Sequence, residues 1–122
     1  MAHNATLRLA AGLAFALAAT AALAHAQLEK AVPAVGGSVA SPSEIRLKFS
    51  EGVEPRFSGV ALSAANGAAQ PLGKAGVDPA DNSVLIVKVA KPLAPGVYTV
   101  NWHAVSVDTH HTQGSFNFTV NP

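Results

Sequence analysis

From residue 45 onward the apolar positions of this chain fall two apart, the spacing of a strand with one buried face. Ile45, Leu47 and Phe49 lie to one side of such a strand, Arg46 and Lys48 to the other. Val60, Leu62 and Ala64 repeat the period. Tyr98, Val100 and Trp102 do so within Val97–His103, and Phe116, Phe118 and Val120 within Gly114–Val120. Val84–Val89 is a nearly continuous apolar run of strand length. Between these runs stand turn residues: Pro33, Gly36-Gly37, Ser41-Pro42, Asn66-Gly67, Pro79-Ala-Asp-Asn82 and Pro92-Leu-Ala-Pro-Gly96. Nothing after the first two dozen residues sustains a helical period. Short strands punctuated by turns over about 100 residues predict an all-β fold, an immunoglobulin-like Greek-key sandwich or barrel. Neither an internal repeat nor a linker to a second domain is visible.

The opening of the chain breaks this pattern. A segment carrying Arg8 precedes an apolar, alanine-rich run from Leu9 to Leu23, which ends in the small-x-small tripeptide Ala22-Leu23-Ala24. At 15 residues the run is short of the roughly 20 that span a bilayer. With its basic flank and cleavage signature it reads as a secretory signal peptide. The expected division is residues 1–24 as signal and 25–122 as one domain. Ala24-His25-Ala26 is a competing cleavage signature that would leave Gln27 first.

Composition narrows the function classes. Lys plus Arg is 8 and Asp plus Glu is 7, and loss of Arg8 makes the remainder formally neutral. That charge balance gives no basic surface for nucleic acid or an anionic membrane. Cysteine is absent. Disulfides, thiolate metal sites and cysteine nucleophiles are therefore excluded, and stability has to come from the core.

The candidate chemistry lies between the last two strands, in Ser106-Val-Asp108-Thr-His110-His111. In an extended segment, residues two apart face the same way at roughly 6.6 Å. Asp108 and His110 would then offer a carboxylate and an imidazole to one ion, with His111 turned away; a loop would remove this argument. By itself Asp-x-His is a weak motif and more often marks an ordinary surface turn. His103, opposite Trp102 in the alternation, reads as a solvated surface histidine, and Glu51 and Glu54 as solvated loop acids.

The whole pattern is more specific. The segment after Ala24 opens His25-Ala-Gln-Leu-Glu-Lys-Ala-Val-Pro33 and continues Pro42-x-x-Ile45-x-Leu-x-Phe49-Ser-Glu51. It closes Tyr98-x-Val-x-Trp102-x3-Ser106-x-Asp108-x-His110-x3-Gly114-x-Phe116-x-Phe118. This resembles the CopC family of periplasmic copper-binding proteins across the region from His25 onward. The resemblance implies a small Greek-key sandwich with a copper(II) site at one end. It favours cleavage before His25 and implies Cu(2+) ligation by the amine and imidazole of His25, by Asp108 and by His110. Glu51 would be an outer-shell or weak axial group. A CopD-type inner-membrane protein would be the partner. Some members of the family carry a methionine-rich copper(I) site; here the only methionine is Met1, which implies a copper(II)-only member.

The donor chemistry agrees. Nitrogen and oxygen donors in a plane suit Cu(II), whereas thioethers select Cu(I). An N-terminal histidine supplies two cis nitrogens from one residue. Protons compete for an amine of pKa about 7.7–8.0 and an imidazole of about 6.5, so binding should weaken in acid. Two other classes stay open: an oxidative enzyme with a copper brace built on the N-terminal histidine, and a metal-free structural sandwich.

Overall fold

The computed structural model describes residues 26–122; the expected signal peptide and His25 lie outside the described residues. The strands are β1 (Leu28–Val32), β2 (Ser38–Val39), β3 (Glu44–Phe49), β4 (Gly59–Ala64) and β5 (Ala69–Gln70), then β6 (Gly76–Asp78), β7 (Asp81–Lys88), β8 (Gly96–Val105) and β9 (His111–Val120). There is no helix among the described residues. Four strands form one sheet in the order β1-β3-β7-β6, and five form the other in the order β2-β9-β8-β4-β5. The chain changes sheet between β1 and β2, β2 and β3, β3 and β4, β5 and β6, and β7 and β8, which gives the expected Greek-key sandwich of immunoglobulin type.

Alternation decides which residues lie between the sheets. Ile45, Leu47 and Phe49 of β3 are fully buried, as are Leu85 of β7 and Val100 of β8, and Phe118 of β9 is nearly so. The Val84–Val89 run also alternates: Leu85 and Val87 are buried between the sheets, while Val84 and Ile86 are only half-buried on the outer face. There Val84 lines a shallow groove with Lys30, Val32, Arg46 and Lys48, whose aliphatic stems cover apolar surface while the charged heads stay in water. Arg46 pairs with Asp78 at 2.6 Å and Glu44 at 3.3 Å, and Lys48 with Asp81 at 3.3 Å.

One aromatic contact ties the layers together and a second braces two strands of one sheet. Phe49 meets Trp102 edge-on at 5.2 Å between ring centroids, joining β3 to β8 across the core. Tyr98 stacks on Phe118 at 5.8 Å. The Tyr98 hydroxyl donates to the carbonyl of Ala94 at 2.7 Å, four residues upstream, as in the tyrosine corner of immunoglobulin-type sandwiches.

Gly114 stands opposite Trp102 in the β8–β9 register. A Cβ there would lie 2.5 Å from Cζ2 of the indole. The ring rests on bare backbone, and no larger residue leaves that space.

Candidate metal centre

The longest register in the molecule runs from Gly96↔Val120 to Val105↔His111, pairing β8 with β9. Beyond it the Ser106 N–H donates to the His110 carbonyl at 2.9 Å and the Thr109 N–H to the Ser106 carbonyl at 2.8 Å. These bonds leave Val107, Asp108 and Thr109 as a three-residue hairpin loop. Thr109 has φ 75°, the left-handed conformation that commonly ends such loops. The segment is thus a turn and not an extended strand, so alternation is not what brings Asp108 and His110 together. The reversal of the chain does it: His110 Nδ1 stands 3.2 Å from Asp108 Oδ2.

Both side chains are open to solvent, at 42% exposure for Asp108 and 50% for His110. Ser106, fully buried, organises them from below. Its hydroxyl donates to Asp108 Oδ1 and accepts the His110 N–H at 3.2 Å. The Ser106 hydroxyl is the largest influence on the Asp108 carboxyl and holds it below the ordinary carboxylate range. Desolvation opposes this, and the His110 contacts reinforce it.

The chain between β3 and β4 brings the other candidates to this end. Ser50 and Gln27 exchange hydrogen bonds: the Gln27 N–H donates to Ser50 Oγ and the Ser50 N–H to the Gln27 carbonyl, each at 2.8 Å. Three residues on, Val53 bridges Ser106. The Val107 N–H donates to the Gly52 carbonyl at 3.0 Å and the Glu54 N–H to the Val105 carbonyl at 2.8 Å. Ser50–Glu54 therefore carries the N-terminal end of the described chain on one side and the Asp108–His110 loop on the other. Ala26, at that end, is fully buried.

Glu51 sits in the middle of this strap. Its Oε1 is buried with no hydrogen-bond partner among the described residues, so it is not the solvated loop acid that its position in the sequence suggests. Such an orphaned acceptor costs about 1–3 kcal/mol. No three His, Asp or Glu side chains converge on one point among the described residues; of the candidate ligands, the structure brings Asp108 and His110 together.

The remaining histidines lie elsewhere. His103 is on the outer face of β8 with its ring against Gly59 of β4, where a Cβ would approach its Cε1 to 2.9 Å. His111, exposed, opens β9 opposite Val105. Glu54 is exposed and joins the strap only through its backbone. Ser106 stands in the motif read from the sequence, but pattern reading gives it no part in holding Asp108 and His110. A hydroxyl two residues before an aspartate is the available signal, because such side chains bond to nearby backbone in turns.

A two-sheet sandwich with a carboxylate–imidazole pair at the tip of its longest hairpin defines a small β-domain built to present donors at one end. Its sequence matches the family model described as the CopC domain over residues 28–121. The chain belongs to the CopC family. It is 44% identical over 98 residues to protein YobA of Escherichia coli K12, covering 80% of this chain and 79% of that protein. Among solved structures it is similar to CopC from Methylosinus trichosporium OB3b, with TM-score 0.74 and 31% identity, covering 80% of this chain and 95% of the other. It is also similar to PcoC, a methionine-rich copper resistance protein from Escherichia coli, with TM-score 0.68 and 38% identity over 80% of this chain and all of that one.

Proposed function

We propose that this protein is a periplasmic carrier or buffer for copper(II). Its ion is held by the amine and imidazole of His25, freed by cleavage behind Ala24, together with Asp108 and His110. The observation that carries this reading is the Ser50–Glu54 strap, which ties Gln27, two residues from His25, to the same end as the Asp108–His110 loop.

The donors suit the cargo. Two ligands about 2.0–2.1 Å from a divalent ion and at right angles are about 2.9 Å apart. The 3.2 Å between His110 Nδ1 and Asp108 Oδ2 is close to that separation. Imidazole, amine and carboxylate match the tetragonal preference of Cu(II). The chain has no cysteine, and its one methionine is Met1, in contrast to the methionine-rich PcoC. The orphaned Oε1 of Glu51 supports an outer-shell role, accepting from a group on the bound ion.

A carrier is favoured over an oxygen-activating enzyme because Asp108, beside His110, would fill a position such an enzyme keeps open. The partner in this reading is a CopD-type inner-membrane protein that takes or delivers the ion.

The test is the N-terminus. Intact mass of the protein recovered from the periplasm should correspond to a chain starting at His25 and gain one copper. Adding one Gly before His25 converts the amine into an amide, so Cu(II) affinity should fall sharply and the electron paramagnetic resonance spectrum should shift. Equal affinity with an unchanged spectrum would remove the amine from the ligand set.

A further inference from the structure

We propose that Ser106 is the positioning residue of this centre, and that it fixes Asp108 as a ligand through one oxygen only. The inference rests on the copper(II) reading above.

A serine hydroxyl has one proton to give and two lone pairs to receive. Here the proton has two acceptors in reach, Asp108 Oδ1 and the His110 carbonyl at 3.3 Å. The carbonyl already accepts the Ser106 N–H at 2.9 Å, and a charged carboxylate is the stronger acceptor, so the proton belongs to Oδ1. The Ser106 Oγ in turn receives the His110 N–H at 3.2 Å. One buried hydroxyl thus holds both donor residues, Asp108 by its side chain and His110 by its backbone. The serine itself is braced by the Val53 bridge and is completely shielded from solvent, so water does not compete for these bonds.

The consequence is a choice of denticity. The terminal torsion of an aspartate is broad and roughly two-fold, and a free carboxylate can turn both oxygens to an ion. With Oδ1 committed to Ser106, only Oδ2 faces His110 Nδ1. One carboxylate oxygen is what a tetragonal Cu(II) plane takes from a single residue. Ions that accept two-oxygen carboxylates in loose, higher coordination, such as Ca²⁺, lose that option. Ser106 therefore acts on affinity and on ion selection without touching the ion.

The experiment compares wild type, S106A, D108A and H110A by Cu(II) competition titration, with the infrared splitting of the carboxylate stretches in protein carrying ¹³C-labelled aspartate. D108A and H110A should lose most Cu(II) affinity. S106A should fold and bind Cu(II) about 10–100-fold more weakly, as loss of an outer-shell partner does. Its bound-state splitting should move from the one-oxygen towards the two-oxygen value, a change that general loosening of the fold does not produce. Unchanged affinity and splitting in folded S106A, with D108A and H110A impaired, overturns the role of Ser106 alone. Full Cu(II) affinity in D108A and H110A overturns the copper site itself and this inference with it. Should S106A not fold, wild-type protein without metal decides the matter by proton NMR. A slowly exchanging Ser106 hydroxyl proton supports the proposal, and a freely exchanging one overturns it.

Discussion

Replacing Gly114 with alanine tests the packing that holds β8 and β9 behind the Asp108–His110 loop. A Cβ at this position would lie 2.5 Å from Cζ2, 2.7 Å from Cε2 and 2.9 Å from Nε1 of Trp102. All three atoms belong to a rigid ring, which is itself held edge-on by Phe49, so no flexible chain end can yield. Overpacking of this kind costs typically 1–3 kcal/mol. Against it, alanine recovers about 0.4–1 kcal/mol by restricting the unfolded chain, leaving a net loss of about 1–2 kcal/mol. For a domain of this size each kcal/mol lowers Tm by about 4–8 °C, so a fall of about 4–15 °C is expected. Thermal unfolding by circular dichroism measures it. Trp102 is the only tryptophan in the chain, so its fluorescence reports the displaced ring directly. A variant with equal or higher Tm and an unaltered emission maximum would refute the reasoning, because the ring would then have had room to spare.

Other outcomes follow from the site and the charged surface. D108A and H110A should each weaken Cu(II) binding strongly with the fold intact, whereas H103A and H111A should matter little; loss on H111A but not H110A in a copper titration would mean the wrong histidine was assigned. With no cysteine and only Met1, the protein should hold Cu(II) and release much of it on reduction, read by competition against chelators specific for each oxidation state. A greater Cu(I) affinity would contradict the donor set. Asp78 is held below its ordinary pKa chiefly by the Ala80 N–H and then by Arg46, and Asp81 chiefly by Ser83 and then by Lys48. Each depressed carboxylate stabilises the fold above its unfolded pKa of about 3.9, and that contribution is lost as pH falls through the folded value. D78N and D81N should therefore flatten the acid limb of a Tm-versus-pH curve, and added salt should do the same because both groups remain partly open to solvent. An unchanged limb would mean other groups control acid unfolding.

The strands that alternate strictly were legible because each has one face against the core: β3, the middle of β8, and β9 from Phe116 onward. β1 was not. Only Ala31 of its five residues is buried, so an edge strand held by backbone bonds left no periodic trace. Nor did β2 and β5, two residues each, or β6, three. Asp108 and His110 were legible as a pair, but through the wrong geometry: residues two apart meet across a tight loop as well as along a strand. What makes the loop tight, a buried hydroxyl and a threonine at φ 75°, has no pattern in hydropathy. The orphaned Glu51 oxygen depends on which elements close over it, and that is tertiary information.

The arrangement of strand lengths bears on how copies of this protein meet one another. The outermost strands are β1, β6, β2 and β5, of five, three, two and two residues, while the ten-residue β8 and β9 and the eight-residue β7 lie inside their sheets. Exposed strand margins are where sheets of separate molecules join, and short margins give an incoming strand little to pair with. A chain without cysteine has no covalent clasp to stop such joining. Brevity at the margins supplies the protection instead, leaving the long hairpin free to carry its donors at the tip without its backbone becoming a template for polymer growth.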